Sequence, residues 1–209
     1  MDQVFTIVFF GVLLFIVAVW RKVANAYRRA KLIDDFTFPP RISQKVQEQY
    51  PHLTSAQVHQ VMQGLREYFH VCNLAGRRMV AMPSQVVDVA WHEFILFTKQ
   101  YDLFCKKALG RFLHHTPAEA MTSTTVAQKG IKVAWRLSCQ RENITPKAPT
   151  RLPILFAIDN LLNIKDGFNY SLDCQRRQDG SYCAGSIGCG SCAGGCGGDS
   201  GCGGGCGGD

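Results

Sequence analysis

The first pattern along the chain is an unbroken apolar run from Val4 to Trp20, with no charged residue in it. At about 1.5 Å per residue, a helix of this length spans roughly 25 Å, close to the bilayer's hydrocarbon core of about 30 Å. Peptide groups in lipid find partners only within a helix, and a soluble core helix would keep a polar face. The run therefore predicts a transmembrane helix over residues 4–20, preceded by a short extracytoplasmic N-terminus of residues 1–3.

A cleavable signal peptide is the main alternative for this run, because Ala24 and Ala26 imitate the small residues of a cleavage site. The leader is acidic at Asp2, however, and Arg21 and Lys22 lie between the run and the cleavage-like site. A buried core helix is a further alternative. We favour the uncleaved anchor over both.

The next pattern is helical periodicity, which follows a basic juxtamembrane linker over residues 21–41 that ends in two prolines. Thr54 and Gln57 form a capping box ahead of apolar residues at helical spacing, and Ser84 is placed to cap a later helix. No alternating strand of useful length is present. The pattern predicts an all-α domain of five or six helices over residues 42–173, large enough for its own core.

The charge of the chain is concentrated beside the apolar run. The formal net charge is +7, and the first 31 residues hold five cations and one acid. The cations are Arg21, Lys22, Arg28, Arg29 and Lys31. The positive-inside rule then places the N-terminus outside and the C-terminal domain in the cytosol, at a plasma or bacterial inner membrane. A nucleic-acid-binding surface would need a basic stripe on the folded domain, so we expect the lipid bilayer as a partner and no nucleic acid.

Candidate chemistry begins on the helix that Ser84 caps. Asp88 and His92 lie one turn apart there, so the carboxylate can meet the imidazole. His114 and His115 follow the expected end of a later helix, where irregular backbone can aim both at one point. Three imidazoles with an outer carboxylate suit zinc or another borderline metal, although isolated histidines are more often structural.

No catalytic set of residues stands out. The chain lacks the zinc-protease HExxH motif, a P-loop, a dinucleotide fingerprint and a GxSxG elbow. The favoured hypothesis is a single-pass membrane protein whose cytosolic helical domain binds a partner, such as another protein, or a metal, without catalysis. The alternative is a metal-dependent, hydrolase-like enzyme that uses His92, His114 and His115 as ligands and Asp88 or Glu93 as base.

The C-terminal tail, residues 174–209, is rich in glycine and cysteine and has almost no side chains for a core, so we expect it to be disordered. In a reducing cytosol its thiols should stay free of stable disulfides and could bind zinc or another thiophilic metal. Lipidation, redox chemistry or a merely flexible tail are the alternatives. The candidate ligands are Cys183, Cys189, Cys192, Cys196, Cys202 and Cys206.

Three blocks of sequence resemble one known family. They are the run from Val87 to Thr98 with its Trp91–His92 pair, the run from Phe112 to Pro117 with its His114–His115 pair, and Leu152 to Asp159 with the cysteine tail. Together they are similar to the bacterial branch of the glycine-rich domain-containing protein-like family. Plant members tend to read Trp-His-x-His, where this chain has Phe94. Because of that departure, His114 and His115 become the main candidate ligands of any metal site. The resemblance implies an architecture rather than an activity.

Overall fold

The computed structural model of the protein describes residues 2–115, 124–172, 182–184 and 187. Helices dominate this part of the chain, as the all-α prediction requires. The helices are α1 (Asp2–Asp34), α2 (Pro40–Gln49), α3 (Ser55–Ala75), α4 (Gln85–Leu96), α5 (Thr98–Phe104), α6 (Thr124–Arg141) and α7 (Ile154–Leu161). A π-helical turn over Cys105–Leu109 continues α5, and Tyr170–Ser171 (β1) pairs in parallel with Tyr182–Cys183 (β2).

The local signals in the sequence account for several of these helix ends. Both halves of the predicted capping box form at the start of α3, where the Thr54 side chain accepts a hydrogen bond from the Gln57 backbone. Pro40 lies in the first turn of α2, where its missing N–H costs no helical hydrogen bond. Gly76, with φ of 63°, ends α3 in a backbone conformation that favours glycine.

Helix α1 contains a stretch, Phe9–Asp34, that is long and apolar enough to cross a membrane. The most apolar part of this stretch is not buried against the rest of the protein. It is the one such helix in the described parts of the chain, and a signal sequence has the same length and apolar character. The exposed apolar surface is what a lipid-facing segment requires.

Helix α1 does not stop at the membrane-spanning run but continues as one helix to Asp34, through residues 21–34 that were predicted as part of a linker. Its end is fixed by α3: the Arg66 guanidinium donates to the carbonyls of Ile33, Asp34 and Phe36. His70 Nε2 lies 2.7 Å from an Asp34 carboxylate oxygen. The orphan carbonyls at the end of α1 are thus capped by the domain, which joins the apolar helix rigidly to it.

The core of the domain surrounds α3, which packs against α1, α2, α4, α6 and α7. Five phenylalanine rings meet at its centre with centroid separations of 4.6–6.5 Å, namely Phe36, Phe38, Phe69, Phe94 and Phe104. Cys72 and Cys105 are buried beside them, and burial raises the pKa of the Cys72 thiol to about 12. Both cysteines are therefore packing residues rather than reactive thiols.

Candidate metal centre

The N-terminus of α4 is held by a buried carboxylate. Asp159, on α7, is only 1% exposed and accepts four hydrogen bonds. The donors are Ser84 Oγ at 2.7 Å, and the backbone N–H groups of Gln85 at 2.7 Å, Val86 at 3.2 Å and Phe168 at 2.8 Å. A carboxylate at a helix N-terminus satisfies orphan N–H groups and matches the helix dipole, so Asp159 fixes where α4 begins.

Helix α4 then presents Asp88 and His92 on one flank, one turn apart. His92 Nδ1 lies 3.6 Å from Asp88 Oδ2, longer than a hydrogen bond but close enough for a strong electrostatic interaction. Trp91, between them in the sequence, is buried in the core with 3% of its surface exposed. The spacing that the sequence predicts for Asp88 and His92 is thus present in the folded helix.

The third member of the site comes from the segment after the π-helical turn. Gly110 ends that turn with φ of 69°, and the chain leaves the helix there. Tyr101 then ties the segment to α4: its hydroxyl accepts from Trp91 Nε1 at 3.0 Å and donates to the Leu113 carbonyl at 2.6 Å. Two residues later, the His115 ring packs on the Trp91 ring with centroids 4.6 Å apart. These buried hydrogen bonds and the packing on Trp91 position His115 beside the exposed flank of α4.

Asp88, His92 and His115 form one compact triad. Each can offer one ligand atom such that all three atoms lie within 4.8 Å of one another. His92 Nε2 and His115 Nδ1 are 3.2 Å apart, and His115 Nε2 is 3.2 Å from Asp88 Oδ1. Zinc–nitrogen bonds of 2.0–2.1 Å place two tetrahedral ligands about 3.3 Å apart. The separation of the two facing nitrogens therefore matches a pair of imidazoles on one zinc ion.

The carboxylate sets which nitrogens carry protons. Asp88 can only accept a hydrogen bond, so it selects the tautomer of His115 with the proton on Nε2. Nδ1 of His115, which faces Nε2 of His92 at 3.2 Å, is then left with a lone pair. That lone pair can accept a hydrogen bond from His92 or bind a metal ion shared with His92 Nε2.

The site is half open to solvent. The side chains of His115 and Asp88 are 12% and 19% exposed, whereas that of His92 is 49% exposed. Surrounding residues hold the Asp88 carboxylate and the His115 imidazole in place. The exposed side, at His92, leaves room for water as a further ligand. The arrangement resembles the carboxylate–histidine–metal pattern in which an outer carboxylate orients a ligating imidazole.

The structure brings together some of the sequence-predicted residues and not others. Asp88, His92 and His115 converge, but His114 is not a member of the group, and its exposed ring packs on Phe112 with centroids 4.8 Å apart. Adjacent residues in an extended segment point in opposite directions, so only one of the two histidines can face α4. The three-histidine ligand set of the hydrolase hypothesis is therefore not assembled.

The tail cysteines are outside this site. Cys183 lies in β2 and is disulfide-bonded, which corrects its prediction as a reduced metal ligand, because a disulfide sulfur is not a thiolate. Five predicted ligands lie outside the described residues, and so does the expected disorder of the tail. They are Cys189, Cys192, Cys196, Cys202 and Cys206.

Two positioning residues, Asp159 and Tyr101, were not identified from the sequence as parts of the site. A signal existed for Asp159, which stands alone among apolar residues in the segment ILFAIDNL and must find partners if that face is buried. Tyr101 gave no comparable signal, because a tyrosine at helical spacing also fits an ordinary core. Burial raises the pKa of the Tyr101 hydroxyl, which keeps it protonated as the donor to Leu113.

Two surface cavities of the described residues, of about 370 and 470 Å³, lie away from the triad. The first is lined by the end of α1, the segment that follows it, α5 and the π-helical turn, including Phe36 and Leu103. The second is lined by residues of α2 and α3, including Gln47 and Met62. Neither contains a member of the triad. The triad thus lies at the surface rather than on the floor of either cavity.

A family model described as UCP032817-like matches residues 28–191. The match includes the end of α1, the whole helical domain and the first part of the tail. No curated protein and no solved structure matches the chain.

Proposed function

The chain belongs to the UCP032817-like family, and we propose that it is a single-pass membrane protein whose helical domain binds a divalent transition-metal ion between His92 and His115. The observation that carries the proposal is the 3.2 Å separation of His92 Nε2 and His115 Nδ1, with Asp88 beside the far nitrogen of His115.

Zinc or another borderline metal of the same class is the ion this donor set favours. Neutral imidazoles suit zinc, copper, iron and nickel, whereas magnesium and calcium prefer sites built from oxygen. In this account His92 and His115 are the ligands, and Asp88 is a positioning residue that acts through His115. Water completes the coordination on the open side.

The membrane part of the proposal places α1 across the bilayer, with the N-terminus outside and the domain in the cytosol. It is supported by the uncharged apolar run from Val4 to Trp20 within α1 and by the five cations that follow this run between Arg21 and Lys31. The positive-inside rule retains such cations on the cytoplasmic side. The rigid attachment of α1 to α3 then holds the metal centre at a fixed position relative to the membrane.

The test is a metal titration of the full chain in detergent, purified without chelator. Zinc binding by calorimetry should show one site that is lost in His92→Ala and in His115→Ala. Asp88→Asn should weaken that site by about 10- to 100-fold, as outer-shell changes do. His114→Ala is the matched control, because it removes the neighbouring, exposed imidazole from the same segment, and it should bind zinc like the unmodified chain.

Cobalt(II) substitution separates this site from the tail. A nitrogen and oxygen site gives visible d–d absorption without the near-ultraviolet sulfur charge-transfer bands of a thiolate site. Equal zinc binding by the unmodified chain and by both alanine variants, or loss of binding in His114→Ala alone, would contradict the proposal.

A further inference from the structure

Three distant segments of the chain meet at the end of the domain that faces the membrane helix. The guanidinium of Arg29, on α1, lies so close to Gly110 that any side chain there would collide with it. Arg111 Nε donates to the Gly76 carbonyl at 2.7 Å, and Gly76 ends α3. The C-terminal ends of α3 and of the π-helical turn therefore lie side by side at the level of Arg29.

The direction of α3 shows which way this end points. Near its middle, Arg66 and His70 contact the end of α1 at Asp34. At its C-terminus, Gly76 lies beside the Gly110 turn that meets Arg29, which is nearer than Asp34 to the apolar run that ends at Trp20. Within the described residues, α3 therefore runs back along α1 towards that apolar run, and the turns that follow α3 lie at this end of the domain.

These turns, together with Arg29 of α1, carry a concentration of positive charge. We call this group the basic cluster, and its members are Arg29, Arg77, Arg78 and Arg111. Arg77 and Arg78 are exposed, and Arg29 and Arg111 are half-buried. No acidic residue occurs in the segments 21–33, 73–87 or 103–117. Within the described residues, none of the four arginines forms a salt bridge.

The helix ends do not cancel this charge. Arg78 donates to the carbonyls of Ala75 and Leu74, and Arg111 to that of Gly76, so both cap the C-terminus of α3. A helix C-terminus carries roughly half of one negative charge. The C-termini of α3 and of the π-helical turn together offset about one of the four positive charges. The surface therefore stays positive.

Exposed apolar side chains lie in the same segments. Leu74 is 43% exposed, Met79 38% and Phe112 40%. A surface that mixes cations with exposed apolar groups is typical of segments that rest at a bilayer interface. A free phosphate would be bound by the charge alone and would leave these groups without a partner.

The distance to the bilayer is within the range of electrostatic attraction. Arg29 follows Trp20 by nine residues, a rise of about 14 Å along α1. The headgroup zone extends about 5–8 Å beyond the hydrocarbon, and charge is felt over a screening length of about 8 Å at physiological salt. Helix tilts of about 20° bring one side of the domain closer still.

We propose that the basic cluster docks the domain onto the anionic phospholipid headgroups of the membrane in which α1 is inserted. The proposal rests on the membrane part of the proposed function and is independent of the metal. Its consequence is one preferred tilt of α1 and the attached domain relative to the membrane.

The test compares full chain in nanodiscs of phosphatidylcholine with full chain in nanodiscs of phosphatidylcholine and phosphatidylglycerol in equal parts. Amide hydrogen exchange over residues 76–80 and 110–113 should be slower in the anionic discs, and added salt should remove the difference. Incorporation of the chain into the discs depends on insertion of α1 and not on docking of the domain. A chain that fails to insert is thus distinguished from one that inserts but does not dock.

The variant Arg77→Gln/Arg78→Gln should shift the docking equilibrium by roughly thirtyfold, at about 1 kcal/mol for each basic residue near an anionic surface. Arg77→Lys/Arg78→Lys should retain most of the protection because it keeps the charge. The matched control is Lys147→Gln/Lys165→Gln, which removes two exposed cations outside the three segments. Unchanged exchange in the α3 core establishes that each variant is folded.

Equal exchange of the unmodified chain in both kinds of disc would overturn the proposal. An equal loss of protection in the Lys147/Lys165 variant would also overturn it, since overall charge rather than the basic cluster would then be responsible.

Discussion

The residues at the metal centre divide into those that would hold the ion and those that hold the ligands. His92 and His115 supply the two facing nitrogens, 3.2 Å apart, and Asp88 fixes a proton on the far side of His115. Asp159 acts further away, by fixing the start of the helix that carries two of the three. Its role is structural, and it can be tested without any metal.

Asp159→Ala should cost about 3 kcal/mol of unfolding free energy, because it leaves several buried donors without an acceptor. Asp159→Asn keeps an acceptor of the same shape and should cost less. Urea unfolding of the full chain in detergent, followed by tryptophan fluorescence, measures the loss.

The control for Asp159 is Asp102→Ala, which removes a carboxylate from a solvent-exposed pair with Lys106. Exposed pairs of this kind contribute about 0.5 kcal/mol or less. A similar loss in the two alanine variants would show that the Asp159 carboxylate has no special role.

At the scale of elements, the centre depends on how one loop is attached to one helix. The sequence predicts the Asp88–His92 pair because both lie on a single helix with a known repeat. It also indicates that His114 and His115 follow a helix end. The sequence does not show which of these two histidines faces α4, because irregular backbone has no fixed periodicity. The choice is made by tertiary contacts, namely the Tyr101 hydrogen bond to Leu113 and the packing of His115 on Trp91.

Tyr101→Phe should therefore weaken zinc binding by about tenfold, a typical effect of removing an outer-shell support. It deletes both hydrogen bonds of the hydroxyl and so frees the segment that carries His115. Calorimetry with zinc on the full chain measures the change in affinity.

Tyr50→Phe is the matched control, since its hydroxyl lies 3.4 Å from the carboxylate oxygens of Asp166, away from the triad. It should leave zinc affinity unchanged. Normal affinity in Tyr101→Phe would mean that the loop holds His115 without this tether.

At the scale of the whole molecule, the apolar stretch and the helical domain were both predictable, because hydrophobic periodicity reports them directly. The continuation of α1 through residues 21–34 was not, since it depends on Arg66 and His70, which lie far away in the sequence. The resemblance to the glycine-rich domain-containing protein-like family and a protein partner stay predictions. The cytosolic topology is now part of the proposal.

The disulfide at Cys183 bears on the tail as a whole. The expectation of reduced thiols followed from a cytosolic placement, and a bonded Cys183 removes one thiolate from the set predicted to bind metal. The proposed metal centre lies among imidazoles in the domain, and the five remaining tail cysteines lie outside the described residues.

X-ray absorption at the zinc edge, on full chain loaded with one equivalent of zinc, tests that placement most directly. The account predicts nitrogen and oxygen ligands at about 2.0–2.1 Å, with outer-shell scattering from imidazole that diminishes in His115→Ala and persists in His114→Ala. A first shell of sulfur at about 2.3 Å, or no bound zinc, would contradict it.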